Sequence, residues 1–247
     1  MIKLIDTHTH INLRAFKDDA KETIQRALDS GVAVINVGTN FTTSRQAVNL
    51  LQQFPRSVYA AIGLHPSHTY PTEFVDENEV DGLAYEKIFR YEAYKELAQH
   101  ERVVAIGECG LDYYRLPEDQ SEAVEIKRLQ REALYKQMRL AGQLNKALSI
   151  HCRPSDGTVD AYDDLLWILE PQYLDDVTPV LTEPRRFVVH SFTGDFATAQ
   201  KFIVLGGYIG LNGIITFDNT ERSKNLVKAL PLENIVLETD APYLSPK

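Results

Sequence analysis

The chain has 247 residues, 44% of them apolar, a size that suits one large domain or two small ones. A formal charge of -9 sets the surface as a whole against nucleic acid at long range. That disfavours a sequence-independent DNA coat protein, but not an enzyme whose metal ions supply positive charge locally. The two cysteines, Cys109 and Cys152, do not make a disulfide framework. No apolar run reaches the ~18 residues of a membrane span, and the first strand begins too early to leave room for a signal peptide. A soluble cytoplasmic protein is the expectation.

Strand-length apolar runs alternate with helical patterns along the whole chain, with no linker, internal repeat or low-complexity tract. The first strand is expected at Lys3–Asp6, and a helix near Asp18–Ser30 that Gly31 is placed to end in a left-handed conformation. The second strand, Val32–Val37, precedes a helix near Thr43–Gln53. The third, Val58–Ile62, runs into Gly63-Leu64-His65-Pro66. Residues 67–85 are polar, acidic and irregular, an excursion from the repeating pattern, and a helix near Glu86–Gln99 leads to strand four at Val103–Ile106.

Glu118–Asn145 is the longest helical pattern, its apolar face supplied by Leu129, Ala133, Tyr135, Met138 and Leu140. Strand five, Ala147–Ile150, is followed by a second long stretch, 155–185, with a helix around Tyr162–Leu169. Strand six at Arg186–Val189, a helix near Asp195–Leu205 and strand seven at Tyr208–Leu211 come next. A helix near Thr220–Ala229 and strand eight at Asn234–Glu238 complete the pattern. Eight strands and seven helices describe an α/β (β/α)₈ barrel, one domain over 1–247, with the eighth helix missing. The outer face of the last strand then needs something to cover it.

Parallel barrel strands deliver their C-terminal ends to one rim, so residues far apart in sequence can meet there. His8 and His10 follow the first strand, and period two puts both imidazoles on one face. Glu108, between Gly107 and Gly110, follows the fourth strand and is placed to bridge two cations, one oxygen to each. His151 and His190 would complete the second ion's shell, and Asp240 would return to the first. Two divalent ions against Glu108 and Asp240 leave the site near +2, enough to attract an anionic ester despite the acidic surface. Four imidazoles favour Zn²⁺ or Mn²⁺ over Mg²⁺, which prefers oxygen.

Asp6-Thr7-His8-Thr9-His10, Ile62-Gly63-Leu64-His65-Pro66, Gly107-Glu108-Cys109-Gly110-Leu111-Asp112-Tyr113, His151, Val189-His190-Ser191-Phe192-Thr193-Gly194 and Leu237-Glu238-Thr239-Asp240-Ala241-Pro242-Tyr243-Leu244 occur in that order. Together they resemble the TatD-type metal-dependent deoxyribonucleases, from the first strand to the last. The resemblance implies an amidohydrolase-superfamily barrel, a two-metal site and phosphodiesterase activity on DNA, often as a 3′–5′ exonuclease. It implies His8, His10, Glu108 and Asp240 as one metal's ligands, Glu108, His151 and His190 as the other's, and a phosphate contact for His65. The stretches 67–85 and 155–185 look longer than is usual in the family, and its segment after strand eight is lacking.

On the substrate side, His65 as imidazolium could hold a phosphate oxygen or merely cap a turn with Pro66, and Arg115 and Arg153, the nearest cations to the rim, could bind phosphate or make ordinary surface salt bridges. Tyr113 or Tyr114 could stack on an unpaired base, or simply pack in the core. Asp112 could orient a ligand or Arg115. Cys109 and Cys152 each follow a ligand by one residue, so alternation turns them away from the site. Arg185 and Arg186 are expected at the opposite end of the barrel. A metal-bridging hydroxide would attack the phosphodiester, with Asp240 as general base. Two rivals are a related amidohydrolase acting on a small ester, lactone or amide, and a metal-binding scaffold without turnover.

Overall fold

The computed structural model describes residues 1–71, 76–78, 86, 88–170, 186–217 and 221–247. Eight strands are β1 (Leu4–Thr9), β2 (Val32–Val37), β3 (Val58–Ile62), β4 (Val103–Asp112), β5 (Ala147–Arg153), β6 (Phe187–Val189), β7 (Gly207–Leu211) and β8 (Ile235–Leu237). The helices between them are α1 (Ala20–Asp29), α2 (Phe41–Leu51), α3 (Tyr91–Leu97), α4 (Gln120–Leu144), α5 (Asp160–Leu169), α6 (Phe196–Val204) and α7 (Glu221–Ala229). All seven strand pairs are parallel and in chain order, so the sheet curls into a nearly closed (β/α)₈ barrel. Every C-terminal strand end therefore reaches the same rim.

Local chemistry explains the helix boundaries. Asn40 and Thr43 form a reciprocal capping box at the start of α2, while the Asp119 and Asp195 carboxylates cap α4 and α6. Gly31 follows α1 with φ +81°, the left-handed stop expected of it. Strand alternation splits the interior in two. Val58, Ala60 and Ile62 of β3 join the large core beneath the helices, whereas Ala61 packs with Val37 and Ala105 in a small cluster inside the barrel.

Three strands outrun their apolar runs. β1 reaches Thr9, β4 reaches Asp112 and β5 reaches Arg153, because backbone pairing continues past the hydrophobic residues: Cys109↔Ile150, Gly110↔His151 and Asp112↔Arg153. His8 and Glu108 consequently lie inside strands, each at a break in the pairing register, rather than beyond strand ends. The helix expected over Glu86–Gln99 is shorter and starts at Tyr91. Glu86 is used elsewhere: its N–H donates to His68 O, and its carboxylate accepts Phe41 N–H at 2.6 Å, at the N-terminus of α2.

Of the stretch 67–85, residues 72–75 and 79–85 lie outside the described residues, as do 171–185 of the stretch 155–185, Arg185 included. Arg186 is exposed and its guanidinium donates to Asn145 O at 3.1 Å, away from the rim. The barrel seam between β8 and β1 is closed mainly by side chains and by the residues after β8. Thr7 Oγ1 donates to Leu237 O (3.0 Å), and the Asp6 carboxylate accepts both N–H (3.0 Å) and Oγ1–H (2.6 Å) of Thr239. Outside this seam Ile5 and Leu237 are 48% and 53% exposed, as a strand face without a helix over it should be. Among the described residues no helix is long and apolar enough to cross a membrane.

Candidate metal centre

The seam also assembles one half of the centre. Asp240 N donates to His8 O at 2.8 Å and His10 N to Ala241 O at 2.8 Å, which sets the Asp240 carboxylate beside both histidines. His8 and His10 are buried, with their Nε2 atoms 3.2 Å apart. His10 Nδ1–H donates to Val37 O at 2.9 Å, so its Nε2 carries a lone pair whenever the ring is neutral. That lone pair points at His8 Nε2 and lies 3.4 Å from Asp240 Oδ1. Such a cluster of donors calls for a proton or a cation between them.

Glu108 joins this half to the other. Its Oε2 lies 3.5 Å from His8 Nε2 and 3.6 Å from His10 Nε2. Its Oε1 lies 3.0 Å from His151 Nδ1, 3.1 Å from His190 Nε2 and 3.5 Å from His65 Nε2. One carboxylate oxygen thus faces each group of histidines. Two glycines allow this placement. Gly107 and Gly110 have φ of +154° and +144°, and a Cβ on either would collide with the β5 backbone, 2.4 Å from Ser149 O or 1.9 Å from His151 O.

The second half is held by protons. His151 turns Nδ1 to Glu108 and Nε2 to Asp112 Oδ2, both at 3.0 Å; carboxylates only accept, so both ring nitrogens must carry hydrogen. Burial opposes this charge, but Asp112 and Glu108 outweigh it and push the His151 pKa up to about 9. His190, between Glu108 and Glu238, is likewise pushed well above the ordinary histidine value against the effect of burial. Burial would raise Glu108 as well, yet the surrounding histidines hold its carboxyl well below the usual range. Two imidazolium charges stand where one divalent ion would put the same +2. His8 differs: burial, with His190 beside it, lowers its pKa.

Each of these four rings has a partner on the side away from the centre. His8 Nδ1 meets Ser149 Oγ at 3.2 Å and His10 meets a backbone carbonyl, whereas His151 meets Asp112 and His190 faces Glu238. Outer partners of this kind fix the tautomer and the ring plane of a metal-binding histidine. Two buried glutamines one heptad apart on α4 hold the rim itself. Gln130 accepts from Asp112 N and donates to Asp112 O, both at 2.9 Å, and Gln137 does the same for Leu64 at 2.7 and 3.0 Å. Neither glutamine nor Glu238 stands out in the sequence. A period-two reading of Glu238 and Asp240, like that of His8 and His10, is the one signal that could have found Glu238.

His65 sits at the edge of the cluster. Its Nδ1 accepts from Ser67 N at 3.1 Å, which leaves the hydrogen on Nε2, aimed toward Glu108. Burial drives its pKa down to about 3, so the imidazolium expected from the sequence is corrected to a neutral N–H donor. Tyr113 does not form a stacking surface: it is buried in the core, with its hydroxyl donating to Asp164 Oδ2 at 2.7 Å. Tyr114 is 47% exposed and the Arg153 guanidinium lies 3.7 Å from its ring centroid. Arg115 is exposed in the turn after β4, and Asp112 orients His151. Cys109 and Cys152 are buried, and burial pushes both thiols up, away from reactivity.

The donor set suits borderline or hard divalent ions: imidazoles, three buried carboxylates and no thiolate in the cluster. Imidazole and carboxylate groups converging on the rim of a parallel barrel define a metal-dependent hydrolase of the barrel class. A family profile described as TatD related DNase matches residues 5–247, and the chain belongs to the TatD family. It is 32% identical over 246 residues to the metal-dependent hydrolase YabD of Bacillus subtilis, covering 98% of this chain and 82% of that protein. It is 31% identical over 249 residues to the 3′-5′ ssDNA/RNA exonuclease TatD of Escherichia coli K12, covering 99% and 81%. The crystal structure of YjjV, a TatD homologue from Escherichia coli K12, superposes with a TM-score of 0.74 at 28% identity, over 99% of this chain and 81% of that one.

Proposed function

We propose that this hydrolase removes nucleotides from the 3′ end of single-stranded DNA, with two divalent ions, Mg²⁺, Mn²⁺ or Zn²⁺, held on either side of Glu108. The observation that carries the reading is the division of the Glu108 oxygens, one toward His8 and His10 and the other toward His151 and His190. His8, His10, Glu108 and Asp240 would hold one ion, and Glu108, His151 and His190 the other. The nucleic-acid substrate is supported by a similar protein that carries the name of a 3′-5′ ssDNA/RNA exonuclease. When bound, a pair of such ions supplies an activated water and neutralises charge on the phosphoryl oxygens.

The chain's own residues do the rest. Asp240 stays ionised because His10 and its neighbours outweigh the effect of burial, so its carboxylate can take the proton from the attacking water. As the P–O3′ bond breaks, Asp240 returns that proton to the leaving 3′ oxygen. The His65 Nε2–H donates to a non-bridging phosphate oxygen, and Arg153 with Arg115 holds the next phosphate. The exposed Tyr114 ring gives an unpaired base a surface to stack on.

The test is metal-dependent release of mononucleotides from 3′-labelled and 5′-labelled single-stranded oligodeoxynucleotides, with Glu108→Ala as control. Shortening from the 3′ end that vanishes in the control is the expected result. No cleavage by protein shown to hold two ions would contradict the reading and point to small esters, lactones or amides. Inertness toward those as well would leave a binding scaffold.

A further inference from the structure

Glu238 is a buried carboxylate that the proposed chemistry does not use. Glu238 directly follows β8 and precedes Asp240 by two residues, and its N–H donates to Leu211 O at 3.1 Å on β7. Its side chain is 1% exposed. Oε2 accepts Ser191 N–H at 2.9 Å and stands 3.5 Å from His190 Nδ1. Oε1 and His190 Nδ1 are both buried and have no hydrogen bond among the described residues, an unusual state for either group. The neighbouring strand makes room for it: a Cβ on Gly210 would fall 2.1 Å from Glu238 Oε1.

We propose that Glu238 is the positioning residue that makes His190 a metal donor, a role that rests on the two-ion reading of the centre. His190 presents Nε2 to Glu108 at 3.1 Å and Nδ1 to Glu238, so the two carboxylates bracket the ring from opposite sides. With Nδ1 facing Glu238 at 3.5 Å, Nε2 is left to face the position beside Glu108 where an ion would be held, and a carboxylate behind the ring would make that nitrogen a stronger donor. Glu238 could also join His8 and His190 in holding a cation; the role proposed for it is behind the ring. Its Oε2 is occupied by Ser191 N–H, and it meets the side of the ring turned away from Glu108. Only the His151/His190 position has carboxylates behind its rings; His8 and His10 rest on a hydroxyl and a carbonyl. Loss of Glu238 should therefore weaken one ion and spare the other.

The experiment titrates Zn²⁺, and separately Mn²⁺, into metal-free wild type, Glu238→Gln and Gly210→Ala, in competition with a chromophoric chelator. Thermal midpoints of the metal-free proteins are recorded alongside. Gly210→Ala displaces an unaltered carboxylate and so tests position apart from charge. Both variants are expected to bind one ion as wild type does and the other about 10–100-fold more weakly. The metal-free midpoints show that each variant is folded before the titration. Wild-type affinity for both ions in both variants would overturn the proposal. So would equal weakening of both ions, which is what a structural prop would give. A wild-type protein that binds fewer than two ions would overturn the two-ion reading, and this inference with it.

Discussion

The two halves of the centre are built from the same residue types and prepared in opposite ways. Around His8, His10 and Asp240 the outer partners are neutral, the Nε2 atoms of two rings crowd to 3.2 Å, and Asp240 raises the His10 pKa against the effect of burial. Around His151 and His190 the outer partners are carboxylates, and the rings answer by taking up protons. A cation entering the first half meets one ring, His8, whose pKa is lowered, and one, His10, whose pKa Asp240 raises. One entering the second must displace protons already paired with Glu108, Asp112 and Glu238. The halves should therefore differ in proton release on metal binding and in the way they fail when mutated.

Glu108 is the shared element, so its loss breaks the comparison most completely. Glu108→Ala should lower turnover by about 10³-fold, the scale reached when a charge-stabilising group leaves a reacting centre. Both ions should weaken together in the same variant, as metal analysis would show. Asp240→Asn should lower kcat by ~10²-fold or more with little change in KM; near-full activity at saturating metal would remove Asp240 from the proton-transfer role. Asp112→Asn should act only on the His151 side and weaken one ion by about 10–100-fold in chelator competition.

Tyr114→Ala tests the rim rather than the ions. Stacking worth ~1–3 kcal/mol per base would raise KM for an oligonucleotide about fivefold or more and leave a small chromogenic diester unaffected. Equal effects on both substrates would exclude stacking.

The smallest effect concerns stability. His151 has its pKa raised from 6.5 to about 9 in the metal-free fold, so its contribution is fully present below pH 6.5 and is lost as pH rises through 9. The metal-free thermal midpoint should fall over that window by a few degrees, about 2–4 °C for each kcal/mol lost. Metal-loaded protein should show a flatter profile there, because the ion has replaced the proton. A metal-free midpoint that is flat from pH 6.5 to 9 would contradict the protonated His151.

Much of this was legible in the sequence, for a physical reason. Barrel strands are short apolar runs at regular spacing, and a polar residue with donor chemistry after such a run has one rim to occupy, so His8, His10, Glu108, His151, His190 and Asp240 could be expected together. Strand lengths were less legible, because the pairing that carries β4 to Asp112 runs through Glu108, Cys109 and Gly110, which show no apolar pattern. The helix before β4 was overestimated because Glu86, a good helix former, is committed to the α2 N-terminus. The charge of His65 is not legible in the sequence, since burial and the Ser67 hydrogen bond that keep it neutral are facts of three dimensions. Gln130 and Gln137 look like ordinary helix polar residues until the rim backbone is seen folded onto them.

On the proposed two-ion reading, Glu108 is shared between two unequal ion positions. Anomalous diffraction from crystals of this protein soaked in Zn²⁺, and separately in Mn²⁺, tests it most directly. Two peaks ~3.5–4 Å apart are predicted, one beside His8, His10 and Asp240 and the other beside His151 and His190, with a Glu108 oxygen on each. A single peak, or two peaks of which one lies away from Glu108, would rule out a shared Glu108.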